Sequence, residues 1–412
     1  MKKLSHLLSK GRCVFIFLGI ISLLVTNCED EPFQNDLQQE QQLKSFNMLP
    51  AFHEGDVWHY KGLVNNDSIE IIIPAVWNGA FMVYAHGYVD PNLPIGLPDD
   101  AIGGVSLKHL LTSSGFAYAS TSYSENGFAV KEGVLDVIFL GNMLKAHFKP
   151  DKIFLGGVSE GGLVALTTLE RNQKIFDAGL ISCGPVGDFN GQLQYFGDFH
   201  VLFKYFYSQE LSVSPWGPID IGSPDFVSPE VMHAWSNGDL DTPLLWVISQ
   251  NPAKLPALFN VANVPVAGVP VIQYPLLVQE ILRFNIMATN DMIDRVHGVP
   301  FDNTSRIYTG DVPIDYVHLN NNVVRIKGDK QAFRKVESLY ETNGSPSVPV
   351  VFMHTEGDHI TPVWHIDAYL NKVTPIRIGT DIIYLPASVP GHCNYTIEEV
   401  MTAIETMKFL VN

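Results

Sequence analysis

The sequence predicts an α/β fold, a mostly parallel central sheet with flanking helices, interrupted once by a mostly helical insertion. Three observations predict it. Strand-like and helix-like segments alternate from Asp56 to Ser182, the pattern of βαβ units with right-handed crossovers. The alternation returns at residues 348–353. Between these stretches, residues 187–345 contain helical spacings, and a structureless loop of that length inside a compact domain is implausible.

Each element has its own signal. Residues 57–63 form an aromatic-rich strand, 64–67 a Val-Asn-Asn-Asp turn, and 69–73 and 80–84 two further apolar strands. Residues 105–113 have helical spacing and make the first crossover, leading to a strand at 116–122. A longer helix over 128–148 presents Val130, Val134, Val137, Ile138 and Leu144 on one face. A short strand at 152–155, a Gly-rich turn, a helix over 162–171 and a strand at 178–182 complete the first half. In the insertion, residues 193–209, 274–296 and 330–341 read as helices. Its aromatics, among them Tyr195, Phe196, Phe199, Phe203, Tyr205, Phe206, Tyr207 and Trp216, are assigned to a core rather than a cleft.

Composition bounds the partners. The 412-residue chain carries a formal charge of -17, and its first 27 residues hold four basic and no acidic residues, so the remainder is more acidic still. Such a surface repels phosphate backbones and anionic headgroups, which excludes nucleic acid as a partner. The basic start is followed by an apolar run from Val14 to Val25, too short to span a bilayer comfortably. Residues 1–27 therefore read as a signal peptide. Leu24-Val25-Thr26-Asn27-Cys28 resembles a bacterial lipoprotein cleavage site, with Cys28 as the lipidated first residue, although Asn27 and Val25 depart from the usual residues. Residues 28–50, acidic and then Gln-rich, read as a tether. The expected location is outside the cytoplasm, on a periplasmic or cell-surface lipid anchor that is the chain's one membrane contact, or else secreted. The body, 51–186 with 346–412, is the sheet core, and 187–345 is the inserted cap. It holds two cysteines, Cys183 and Cys393, an exported pair that is either a disulfide or two buried thiols.

The chemistry centres on Gly157-Val158-Ser159-Glu160-Gly161-Gly162, set between an apolar strand and a helix. As a bare pattern this is weak, but strand-turn-helix is the setting in which a strained turn lifts a Ser hydroxyl above a sheet. The small residues Gly157 and Gly161 let helix and strand approach. Ser159 is the expected nucleophile, and a neutral hydroxyl needs a base. His392, in Gly391-His392-Cys393 after a strand at 382–385, is the best placed of 14 His. Asp358 follows the strand at 348–353 and precedes a turn, His359-Ile360-Thr361-Pro362, so it is the preferred acid to hold the imidazole; Glu356 competes. Tyr84-Ala85-His86-Gly87-Tyr88 also follows a strand. Gly87 lets the backbone turn there, so amides of Tyr88 and Glu160 form the expected oxyanion hole, with His86 as a buttress. The Glu160 side chain is expected to face solvent, favoured by the helix dipole. His354, Asp358, His359 and His365 match no metal-ligand motif, and the chemistry requires no metal or cofactor.

With these four elements in order the chain resembles the α/β-hydrolase superfamily. It is most similar to exported bacterial esterase-like members with a Trp77-Asn78-Gly79 lead-in, an aromatic-Ala-His-Gly-Tyr loop and a closing Gly391-His392-Cys393-Asn394 segment. The resemblance runs from Asp56 to the C-terminus, is weakest through the cap, and implies the chain order Ser, acid, His. In tannase-like and feruloyl-esterase-like relatives, the Cys after the catalytic His pairs with a Cys before the nucleophile. Here Val158 holds that position, and the expected partner of Cys393 is instead Cys183. The resemblance implies a carboxylic ester hydrolase, and the apolar, aromatic-rich insertion points to an acyl or aryl ester, small or polymer-linked, as the expected substrate. A serine peptidase similar to the prolyl-oligopeptidase group shares the elbow, but no β-propeller repeat precedes it. A tethered binding lipoprotein with an inactive hydrolase fold is the reading from another class.

Overall fold

The computed structural model describes residues 51–55, 57–64, 67–171, 175–373 and 381–411. The expected signal peptide, tether and Cys28 lie outside the described residues, as do two of the four residues of the expected turn at 64–67.

A nine-stranded sheet runs in the order β1-β2-β3-β7-β4-β8-β9-β10-β11. Its strands are β1 (Ala51–Glu54), β2 (Val57–Val64), β3 (Asp67–Ile73), β4 (Ala80–Ala85), β7 (Ala117–Thr121), β8 (Lys152–Val158), β9 (Ala178–Ser182), β10 (Val350–Thr355) and β11 (Ile382–Ala387). A two-stranded ribbon, β5 (Ala101–Ile102) and β6 (Val105–Ser106), lies outside it. The pairings β1–β2, β2–β3 and β3–β7 are antiparallel, and all the others in the sheet are parallel. The sequence explains the difference. Strands β4, β9 and β10 (AFMVYA, AGLIS, VVFMHT) are apolar or small almost throughout and buried along their whole length, as strands covered on both faces must be. Registers Ala85↔Gly157, Val158↔Ser182 and Thr355↔Ala387 bring the carboxyl ends of these strands to one edge of the sheet.

Helices cover both faces. On one side lie α1 (Leu107–Ser113) and, from the chain's end, α13 (Ile397–Phe409), whose Leu107, Leu111, Ile404 and Met407 pack with Met82, Phe154 and Leu180 of the sheet. On the other lie α2 (Val130–Phe148), α3 (Glu160–Arg171) and α12 (Trp364–Lys372), packed on Phe81, Val83, Leu155 and Phe352. The expected helices at 128–148 and 162–171 are displaced at their starts: α2 begins two residues later, and α3 begins at once after Ser159, because the elbow and the helix are one turn of chain.

Between β9 and β10 the chain forms α4 (Phe189–Phe206), α5 (Ser208–Ser212), α6 (Pro229–Ser236), α7 (Asp241–Gln250), α8 (Leu255–Ala262), α9 (Tyr274–Val296), α10 (Tyr316–Asn322) and α11 (Lys330–Tyr340). These helices have their own apolar core, which includes Tyr195, Phe196, Phe199, Phe203 and Tyr207. Tyr205 and Phe206 are partly buried against it, while Trp216 is 56% exposed, so it is not a core residue. No helix among the described residues is long and apolar enough to cross a membrane, and no described strand lies outside the sheet and the ribbon.

Candidate active site

The residue where β8 becomes α3 is Ser159, with φ +57°, a conformation costly for a non-Gly residue and imposed here by its surroundings. Its amide donates to Ser182 O at 2.9 Å, and Gly162 N donates back to its carbonyl at 2.8 Å. The flanking glycines are required by close approach. A Cβ on Gly157 would lie 2.0 Å from Gly161 O, and one on Gly161 would lie 2.1 Å from Ala85 O. The turn after β4 presses on the same point: a Cβ on Gly87 would stand 3.2 Å from the Ser159 Cβ. The loop carrying Gly87 and Tyr88 therefore abuts the candidate nucleophile. His86, expected as a buttress, is 4% exposed, stacks on Tyr123 with ring centroids 3.9 Å apart, and donates through Nδ1 to Gly87 O at 2.7 Å.

The three residues singled out from distant parts of the sequence meet here. Ser159 Oγ lies 2.9 Å from His392 Nε2, and His392 Nδ1 lies 2.9 and 3.0 Å from Asp358 Oδ2 and Oδ1. A carboxylate only accepts, so Nδ1 carries the ring proton and Nε2 is left free to accept from the hydroxyl. Asp358 rather than Glu356 makes this bond because its Oδ1 also accepts from the Ile360 and Thr361 amides at 3.0 and 2.9 Å, which fixes the carboxylate at the head of the turn. Asp358 is fully buried. Burial raises its pKa, but the His392 charge, its hydrogen bond, His354 and the Thr361 amide outweigh burial and hold the group below the usual carboxylate range.

The loop carrying His392 is tied down on two sides. Thr355 Oγ1 donates to Gly391 O at 2.7 Å, and a disulfide joins Cys393 to Cys183, with Cα atoms 5.4 Å apart, at the end of β9. The expected pairing of these cysteines is thus the observed one. Their sulfurs and a His392 nitrogen lie within 4.8 Å of one another, but the sulfurs are bonded together and the His392 nitrogens face Ser159 and Asp358. The other histidines of this region are also committed: His354 Nε2 to Thr361 O at 2.6 Å, His359 Nε2 to Glu280 at 2.5 Å, and His365 Nε2 to Gln192 Oε1 at 2.8 Å.

Glu160 corrects the sequence expectation. Its side chain is 3% exposed rather than solvent-facing, and neither carboxylate oxygen meets a hydrogen-bond partner of good geometry. Burial pushes its pKa well above the usual range, with Arg295 pulling it down and Asp291 pushing it up. The cause is tertiary. Helix α9 of the insertion docks on the segment before α2, where Arg295 Nη2 donates to Asn126 O at 2.8 Å and Asp291 accepts from Phe128 N at 2.7 Å. That docking outweighs a helix-terminus preference for solvent.

The site also holds a residue that no motif announced. Phe284, on α9, lies edge-on to His392 with centroids 6.1 Å apart and 6.3 Å from the ring of Tyr88. In sequence it is one apolar residue on a helix with many, and only the docking of the insertion selects it. A groove of about 600 Å³ opens beside the His86–Tyr88 turn and is walled by Leu93, Ile95 and Leu97.

No protein-family model matches the chain, and no curated protein does. Among solved structures it is similar to an esterase from Aspergillus oryzae, at 14% identity and TM-score 0.45 over 82% of this chain and 73% of that one. It is also similar to an esterase from Pyrococcus furiosus, at 11% identity and TM-score 0.42 over 89% and 98% of the two chains. A Pyrococcus horikoshii acylaminoacyl peptidase gives 11% identity and TM-score 0.39, over 91% of this chain but 43% of that one. Parallel strands ending at one edge, a strand-turn-helix with a strained Ser, and partners following in the order Ser, Asp, His make this the α/β-hydrolase fold.

Proposed function

We propose that the protein is a serine hydrolase that cleaves carboxylic esters through an acyl-enzyme on Ser159. The observation that carries this reading is the unbroken hydrogen-bond chain from Ser159 Oγ through His392 to Asp358. Ser159 Oγ attacks the ester carbonyl carbon as His392 Nε2 takes its proton, and Asp358 stabilises the imidazolium. The negative oxygen of the tetrahedral intermediate faces the amides of Tyr88 and Glu160, at the positive end of α3. The C–O bond to the alcohol then breaks, and the alcohol leaves with the proton from His392. Water enters, gives a proton to the same nitrogen and attacks the acyl carbon, releasing the acid and restoring the hydroxyl. Every step is carried by these side chains and amides.

Ester over amide rests on the resemblance of residues 84–88 and 391–394 to esterase-like loops. The open groove beside the Tyr88 turn supports a substrate that is small or carried on a polymer. The Cys183–Cys393 disulfide supports a location outside the reducing cytoplasm, with Cys28 as the proposed lipid anchor.

Turnover of p-nitrophenyl esters, compared with aminoacyl and prolyl p-nitroanilides, tests the reading. Ester hydrolysis that disappears in Ser159→Ala is the expected result. Faster amide than ester cleavage favours a peptidase, and no turnover of either favours a binding protein on an inactive fold.

A further inference from the structure

On the sheet face opposite α3, a cavity of about 170 Å³ lies among β4, β8, β9, α1 and α13. Met82, Leu107, Leu111, Leu180, Val400 and Ile404 make its apolar walls, the ribbon at Ala101 and Ile102 stands at its margin, and Tyr84, Asp100, Ser182 and Tyr395 add polar groups to the lining. Protein interiors leave few voids larger than a water, and an apolar void costs stability in proportion to its volume. An apolar void of roughly 150 Å³ accepts a benzene-sized guest. The glycines here are of two kinds. Gly157 has no room for a side chain, whereas a Cβ on Gly156 would meet nothing closer than Met82 Sδ at 3.4 Å, an ordinary contact. The space beside Gly156 is therefore left open where an alanine would have begun to fill it.

We propose that this cavity is a binding site for a small uncharged apolar ring, of about the size of benzene, separate from the position of the scissile ester. Neither Ser159 nor His392 lines it, yet both are one residue away. Val158 in its wall leads directly into Ser159, and Cys393 in its wall directly follows His392. A guest touches the backbone that carries nucleophile and base without occupying the place of the acyl group, so it alters kcat and leaves KM unchanged.

The test uses benzene and the full chain. Thermal unfolding with saturating benzene is expected to raise the Tm of the wild type, and Ile404→Trp, which fills the cavity, is expected to weaken binding at least tenfold. Should Ile404→Trp fail to fold, Leu111→Phe serves the same purpose. An unchanged Tm at saturation, or equal binding by the filled variant, overturns the proposal. So does benzene that raises KM for p-nitrophenyl acetate at constant kcat, because the guest then sits in the ester position. The binding arm needs no turnover, so it stands or falls apart from the proposed hydrolase reading.

Discussion

Two carboxyl groups near Ser159 are set to opposite states by their surroundings, and each predicts a measurement. Asp358 is held below the ordinary carboxylate range by His392, after burial is overcome. A depressed folded pKa contributes stability above the unfolded value of about 3.9, and that stability is lost as pH falls through the folded pKa. Asp358→Asn keeps the shape of the acid but leaves the imidazole in the wrong tautomer, so kcat on a p-nitrophenyl ester is expected to fall by roughly 10⁴-fold. A variant within tenfold of wild type would remove Asp358 from the mechanism. Glu160 is the reverse case, with burial raising its folded pKa. The folded state then holds a proton that the unfolded chain releases above about pH 4.3, so stability falls as pH rises through the interval up to the folded pKa. Urea unfolding at pH 5 and pH 8 is expected to show a larger loss for the wild type than for Glu160→Gln; parallel losses would mean that Glu160 titrates normally.

At the scale of elements, helix α9 and the Cys183–Cys393 bond position what the sequence motifs alone do not. Helix α9 brings Phe284 to the edge of His392 and sets Arg295 and Asp291 over the approach to α2. An aromatic pair of this kind contributes about 1 kcal/mol. Phe284→Ala is accordingly expected to lower kcat/KM about fivefold on aryl esters, and unchanged kinetics would place the substrate away from α9. The disulfide closes a loop with a sequence separation of 210 residues. Chain-entropy reasoning, with the usual range for native bonds, gives a loss of about 2–5 kcal/mol in a Cys183→Ser, Cys393→Ser double variant, read by chemical denaturation. Alkylation of Cys183 or Cys393 in the unreduced wild type would contradict the bond itself. These elements also mark where sequence reading runs out. The elbow was legible because contact forces its glycines, leaving a signature in consecutive residues. The position of α9 over that elbow is a matter of docking between segments far apart in the chain, and no local spacing encodes it. Helix α13 is intermediate: Thr396 and Glu399 form a capping box at its start, a local signal for a helix whose packing against the sheet only the fold displays.

Over the whole molecule, one arrangement gives every part its role. Buried apolar strands align their carboxyl ends at one edge, and the turns after β4, β8, β10 and β11 deliver Tyr88, Ser159, Asp358 and His392 to it. Strand and helix periodicity made this sheet legible, and the order of motifs along the chain made legible the trio of Ser159, Asp358 and His392 that the structure brings together. The insertion was legible as helical but not as a particular surface, because its helices pack mainly with one another around their own apolar core. In the proposed reading, substrate choice belongs to that surface, while the chemistry belongs to the sheet edge. The sheet-edge chemistry is tested most directly by treating the folded protein with a fluorophosphonate and mapping the adduct by mass spectrometry. The account predicts one phosphonylated residue, Ser159, with no adduct in Ser159→Ala and slowed labelling in His392→Ala. A folded wild-type protein that stays unlabelled, or a Ser159→Ala variant labelled as fast as wild type, would contradict it.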